Sequence, residues 1–398
     1  MNENVSPINK TNRLVWIDAA RGFAIFGIFM VNIGAFAAPY FMYGGESSAW
    51  SSVTDQYTQA FIDIFFQASF YTLFSLLFGF GFQILVDRFQ TRHVNVKSFL
   101  LRRLLLLIGF GLIHAFLIWH GDILLSYGTI GLLLLLFIQV RDRTLLSWGF
   151  SLLVGSVGLF SLMLFGARNY LDHVNKDAIN HALANYQSSN LITIWSQNYD
   201  DWMYSNGGGI SFLLLVCTLL PLFLFGMYMA RKRWLHEPSK HKSLLQRLWT
   251  ITLFFFLLFK LGPYLFGNPA WFSYFQDNIG GTFSALFYIV SITLLAQTRI
   301  GLKLVKPFAY VGRMALTNYI IQSIISFMLF YGIGFGFYGS VSPLTGVVFV
   351  IIIFSVQIIW SKWWFSHYLF GPLEWIWRSL TYNRKQPFRK NEKRGEES

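Results

Sequence analysis

Ten stretches of this chain are apolar almost from end to end: 14–36, 59–85, 101–118, 122–139, 145–166, 208–230, 248–266, 279–298, 308–335 and 344–366. Polar residues gather in the short connections between them. Roughly 18 apolar residues in a row suffice to cross a bilayer as a helix. Helix is required because lipid offers no partner to backbone amides and carbonyls. The pattern predicts an all-α fold: a polytopic transmembrane helix bundle of about ten spans.

The connections alternate in charge. Lys10, Arg13, Arg88, Arg92, Lys97, Arg102, Arg103, Arg141 and Arg143 fall on one side, with "RKRW", "HKSLLQR", Arg299, Lys303, Lys306 and "NRKQPFRKNEKR". The other side receives "YGGESSAWSSVTDQ", "HGD", 167–207, "GNPAWFSYFQDN" and "GFYGSVS", with only Arg168 and Lys176 as cations. Basic loops face the cytoplasm, so both termini are expected there and "WHGD" at the outer boundary. Residues 1–378 read as a single transmembrane domain. Residues 379–398 read as a basic cytoplasmic tail, expected to be disordered and to touch anionic lipid. The outer 167–207 segment, which contains Asp172, Asp177, Asp200 and Asp201, reads as a short amphipathic lid or interfacial helix.

Composition supports this reading. The chain has 398 residues, 55% hydrophobic and only 12% charged, against about 25% charged in soluble domains. The net charge of +13 is explained by topology, so membrane lipid is an expected partner and nucleic acid is not. The lone Cys217 excludes an intrachain disulfide framework, and no metal is expected. The first apolar run contains Asp18 and Arg21, unlike the core of a cleavable signal peptide. The pattern implies no particular oligomeric state.

Ionisable groups inside spans are costly and therefore candidates for function. Asp18 and Arg21 lie three apart on one helix face, either as a self-neutralising pair or as a site for an anionic group. Asn32 stands eleven residues further, about 16 Å along the helix. His114 lies within the third span, about 9 Å short of His120, and reads as an interhelical hydrogen-bonding residue or a binding residue. His120 is followed by Gly121 and Asp122. A carboxylate beside an imidazole fixes its tautomer and raises its basicity, as a general base requires; the same three residues also suit a polar turn. In the ninth span, Arg313, Asn318 and Gln322 form a polar stripe that either lines a cavity or joins helices. Lys260 reads as snorkelling outward or countering a carboxylate such as Asp122. Glu374 and Arg378 are spaced for an ion pair on an interfacial helix.

The stretches "IDAARGFAIFGIFMVNI", "FYTLFSLLFGFGF", "HAFLIWHGDILLSYG", "VGRMALTNYIIQS" and "GPLEWIWRSLTY" together resemble the YeiB-like family of bacterial membrane proteins. The first span is also similar to that of a wider transmembrane acyltransferase group, which includes the O-antigen acetylase type and heparan-alpha-glucosaminide N-acetyltransferase. That group carries an Arg-Gly pair with a polar residue eleven after the arginine. In the acetylase type it is a histidine; here it is Asn32, as in the heparan-modifying type. The resemblance implies transfer of an acyl group, acetyl in the simplest case, from a cytoplasmic acyl-CoA co-substrate to an envelope glycan or small acceptor outside the bacterial cytoplasmic membrane. The resembling group places its histidine elsewhere; among this chain's own residues His120 is the best available base, with Asp122 its orienter and Asn32 an oxyanion donor. Asp18, Arg21, His114, Arg313, Asn318 and Gln322 would bind substrate or co-substrate. A multi-span transporter explains the same intramembrane charges, and a non-catalytic scaffold is the third class.

Overall fold

A computed structural model describes residues 13–90, 96–171 and 174–390. Lys10, Arg92, Asp172 and the last part of the tail lie outside them.

The described residues are helical with short connections. Eight helical stretches are long and apolar enough to cross a membrane: Val15–Ala37 (α1), Val53–Gln90, Val96–Leu117 (α4), Asp142–Gly166 (α6), Gly209–Arg231 (α9), Lys242–Phe266, Ala270–Leu295 and Pro343–His367 (α14). Val53–Gln90 consists of Val53–Phe65 (α2) and Ser69–Gln90 (α3), joined through Ala68 at φ 60°. Lys176–Tyr186 (α7) and Leu191–Asn206 (α8) form the segment between α6 and α9. Two expected spans differ from the sequence pattern. The run 122–139 folds as Leu124–Leu133 (α5) and one 3-10 turn to Leu136, too short to count among the eight. The carbonyls that follow it are satisfied by Arg231, whose guanidinium donates to Phe137, Ile138 and Val140.

The second difference is at 308–335. Its first residues belong to an amphipathic helix that starts at Arg299. Lys242–Phe256 (α10), Gly281–Leu295 (α11), Arg299–Arg313 (α12) and Ala315–Phe330 (α13) complete this part of the chain, and α12 and α13 meet at 78°. Met314, at φ −128° and ψ 48°, breaks the helical path. Glu374, on Pro372–Tyr382 (α15), satisfies the opened end: Thr317 N donates to its Oε1 at 3.1 Å and Thr317 Oγ1 to its Oε2 at 2.6 Å. The expected Glu374–Arg378 pair is therefore corrected, because the carboxylate serves Thr317 and the Arg378 guanidinium lies over Phe370.

Helix α12 crosses α1 at glycines. A Cβ on Gly22 would fall on the Phe308 carbonyl, and one on Gly312 on the Asp18 carbonyl. Such contacts let backbones approach where side chains would hold them apart. The core continues through Phe70, Leu73, Phe80 and Phe223.

The tail is also corrected in part. Residues 379–390 are helical to Tyr382 and then fold back, with Trp375 donating to the Gln386 carbonyl and Phe388 packed on Tyr368. Aromatic residues, which sequence polarity averages out, anchor this segment.

Candidate functional site

The end of the bundle opposite Arg13 carries a cavity of about 240 Å³, bordered by Asn32, Tyr43, Trp119, His120, Asp201 and Tyr338 among others. Several parts of the chain build it, among them the segment after α1 with Tyr43 and the loop after α13 with Tyr338. Helix α1 supplies Asn32. The turn after α4 supplies Trp119 and His120, with Trp119 stacked on Phe36 at 3.9 Å between ring centroids. Helix α8 supplies Asp201 and Ser205 to its wall, and Tyr186 of α7 bonds behind them, so the 167–207 segment forms part of the site itself.

Asp201 on α8 is the hub. It is 2% exposed and accepts from Tyr43 Oη at 2.7 Å, Tyr186 Oη at 2.7 Å and Gln197 Nε2 at 2.6 Å. These three donors fix the carboxylate in place. His120 Nδ1 lies 3.2 Å from Tyr186 Oη and 3.7 Å from Asp201 Oδ2. The single tyrosine proton is committed to the carboxylate, so the phenol oxygen accepts from His120 Nδ1–H and leaves Nε2 as the basic nitrogen. Burial holds His120 below its ordinary pKa, opposed by Asp201 and Asn198. Burial and Asp201 push the Tyr43 and Tyr186 phenols upward, so both stay protonated donors.

This corrects the expected His120–Asp122 dyad. Asp122 turns away from His120, accepting from Leu125 N at 2.5 Å and lying 2.8 Å from His114 Nδ1. His114 Nε2 in turn meets Ser323 Oγ at 2.8 Å. The carboxylate that orients His120 comes from Asp201, some eighty positions later. No local spacing signals that partnership; the acidic content of 167–207 was the only visible sign.

Asn32 and His120 therefore share one cavity, while Arg21 and Asp122 do not border it. Arg21 lies at the other end of α1, where Asp18 pairs with Arg13 and, at 3.4 Å, with Arg21. Arg103 stacks on Trp377 and Arg313 on Phe365, both under 4 Å from the ring centroid. Burial pushes the Arg378 guanidinium down, and Arg13 and Arg21 add repulsion. Arg13 and Arg21 thus pair with the one aspartate, and Arg103 and Arg378 lie close enough to Arg21 to feel its charge. Asn318 and Gln322 join α13 to α14, through Ser361 at 3.1 Å and Gln357 at 2.8 Å.

A second cavity of about 450 Å³ flanks the first and shares Val31 and Phe41 with it. Glu46, Asp63 and Asp277 border it. Behind it Lys260, fully buried, lies 3.1 Å from Asp277 and 3.6 Å from Asp63. Lys260 neither snorkels nor meets Asp122. Both Lys260 and Asp277 sit in π-helical turns, Leu257–Leu261 and Gln276–Gly280, which aim them at each other. Among the described residues no group of three His, Cys, Asp or Glu side chains is placed to hold a metal.

Residues 229–384 match the family model described as "Protein of unknown function (DUF418)". The chain is 34% identical to the uncharacterized protein YxaH of Bacillus subtilis, over 98% of this chain and 99% of the relative. It is 29% identical to an uncharacterized 39.9 kDa protein from the amylase 3' region of Bacillus acidopullulyticus, over 96% and 98% of the two chains. It is 32% identical to the uncharacterized protein YeiB of Escherichia coli, over 94% of this chain and 98% of that one. None of these names carries an activity. End-to-end likeness at this level, with the DUF418 region inside it, places the chain in the YeiB-like family of polytopic membrane proteins.

Proposed function

We propose that this protein is a transmembrane acyltransferase of the bacterial cytoplasmic membrane, with its basic end in the cytoplasm. An acyl-CoA binds at the basic end, and an envelope glycan or small molecule accepts the acyl group, acetyl in the simplest case, at the opposite end. The observation that carries this reading is the shared cavity of Asn32 and His120, with Asp201 and Tyr186 behind the imidazole. A neutral imidazole with Nε2 as its basic nitrogen suits deprotonation of an acceptor hydroxyl or amine. The Asn32 amide suits donation to a developing oxyanion. Asp18 orients Arg21, and the arginines around it suit the phosphates of a CoA ester. The charge of the loops supports the orientation.

The test uses reconstituted vesicles. Radiolabelled acetyl-CoA is supplied at the basic face and an extract of envelope glycans at the other. Label should reach the glycan with the wild type and fall by on the order of 100-fold in His120→Ala. Full activity in both His120→Ala and Arg21→Ala would sink the proposal. The buried Lys260 between two aspartates favours a second reading, transport. It predicts substrate flux with no covalent product.

A further inference from the structure

Within the bundle, away from the His120 cavity, three side chains from separate parts of the chain form a hydrogen-bonded series. Ser323 on α13 lies 2.8 Å from His114 Nε2 on α4, and His114 Nδ1 lies 2.8 Å from Asp122 in the turn. His114 is fully buried and Ser323 is 1% exposed. We propose that Ser323 is a nucleophile, activated by His114 and oriented by Asp122, that accepts an acyl group from a carboxylic thioester or oxyester.

The proton positions follow from the acceptors. Asp122 Oδ2 already accepts from Leu125 N, and Oδ1 faces the imidazole. A carboxylate beside Nδ1 makes that nitrogen the protonated one, so Nε2 is the acceptor and the serine hydroxyl donates to it. That is the nucleophile, base and orienter arrangement of acyl transfer, recognised by geometry and roles and not by sequence order. The Ser323 oxygen also approaches the Tyr319 carbonyl, but at 3.3 Å, so its one proton favours the imidazole. The Tyr319 ring packs against His114, 4.9 Å between centroids, and holds its plane. Ser326 follows three residues later on the same helical face. Its hydroxyl is fully buried with no hydrogen-bond partner, which leaves it free to donate to an oxyanion.

The step balances as follows. Ser323 Oγ bonds to the acyl carbon while its proton passes to His114 Nε2. The carbon–sulfur or carbon–oxygen bond breaks, and the leaving thiolate or alkoxide takes that proton. The acyl-serine then passes its acyl group to an acceptor hydroxyl or amine. The acceptor's proton goes to His114 and returns to Ser323. This goes beyond the His120 reading and does not depend on it.

The test is labelling of the full-length protein in detergent with a short-chain alkyl fluorophosphonate, followed by intact mass and peptide mapping. One adduct on Ser323 is expected, with none in Ser323→Ala. His114→Gln should slow labelling by on the order of 100-fold, and Ser326→Ala should slow it too while Ser323 stays the labelled residue. Thermal unfolding establishes that each variant is folded; if His114→Gln is not, the comparison of wild type with Ser323→Ala decides. A folded wild type that takes no label, or labels at another residue, overturns the proposal. So does a folded His114→Gln that labels as fast as the wild type.

Discussion

Asp122 serves two partners at once: His114 Nδ1 at 2.8 Å through one oxygen and Leu125 N at 2.5 Å through the other. One carboxylate therefore fixes an imidazole on α4 and caps the first turn of α5. Asp122→Asn keeps a capping oxygen but loses the charge that holds Nδ1–H. Asp122→Ala loses both. A lost cap costs about 1 kcal/mol, and a buried imidazole left unpaired costs about 1–3 kcal/mol. Thermal unfolding in detergent should rank wild type above Asp122→Asn and Asp122→Ala lowest. Equal melting points would show that the carboxylate holds neither element.

His120 makes the protein acid-sensitive. Burial keeps its folded pKa below the ordinary 6.5. Below pH 6.5 the unfolded chain takes a proton that the folded chain refuses, so stability falls as pH falls. The loss is about 1.4 kcal/mol per pH unit until the folded imidazole also titrates. Melting points measured from pH 7.5 to 5 should drop less steeply in His120→Gln than in wild type. If His120 is the base, the acid limb of the rate profile lies below pH 6.5, since the imidazole is already neutral above it.

The Lys260 cluster predicts an asymmetry. The ammonium is fully buried, whereas the side chains of Asp63 and Asp277 are 27% and 29% exposed. Lys260→Met leaves two carboxylates that still reach water. The double change Asp63→Asn with Asp277→Asn leaves a buried cation with no anion, and breaking a buried pair in that way costs about 3–5 kcal/mol. Unfolding midpoints should therefore fall further in the double variant than in Lys260→Met. The reverse order would mean that the cluster is wetter than the fold indicates.

Much of this architecture is legible in the chain because lipid imposes one rule on every span. Long apolar runs mark helices wherever the run and the helix coincide, as at Val15–Ala37 and Pro343–His367. It fails at Met314, where hydropathy continues but the helix path turns, since apolar character does not report dihedral angles. Asn32 and His120 were legible as polar groups near one end of their apolar runs. Asp201 and Tyr186 were not, because their roles depend on how α7 and α8 dock. Asp122 pairs with His114, eight residues back across a turn, and proximity in sequence pointed to His120 instead. Local spacing predicts contacts within one helix; hairpin turns and lids bring together residues that no helical period relates.

Glu374 provides the last prediction. Where α12 ends at Arg313, the amides that open α13 lose their helical partners. The Glu374 carboxylate takes the Thr317 amide and hydroxyl, and the Leu373 amide returns a bond to Thr317 Oγ1 at 3.1 Å. This closed loop ties α15 to the start of α13, the helix that carries Asn318, Gln322 and Ser323. Burial raises the Glu374 pKa, opposed by its bonds to Thr317, so Glu374→Gln, which keeps an acceptor oxygen, should be tolerated within about 1 kcal/mol. Glu374→Ala leaves two donors at the opening of α13 without a partner and should cost about 1–3 kcal/mol. The loss should be local before it is global: amides 315–318 should exchange hydrogen faster in Glu374→Ala while those of α1 keep their protection. Uniform protection in the alanine variant would mean that the 78° turn is held by packing at Gly22 and Gly312 alone.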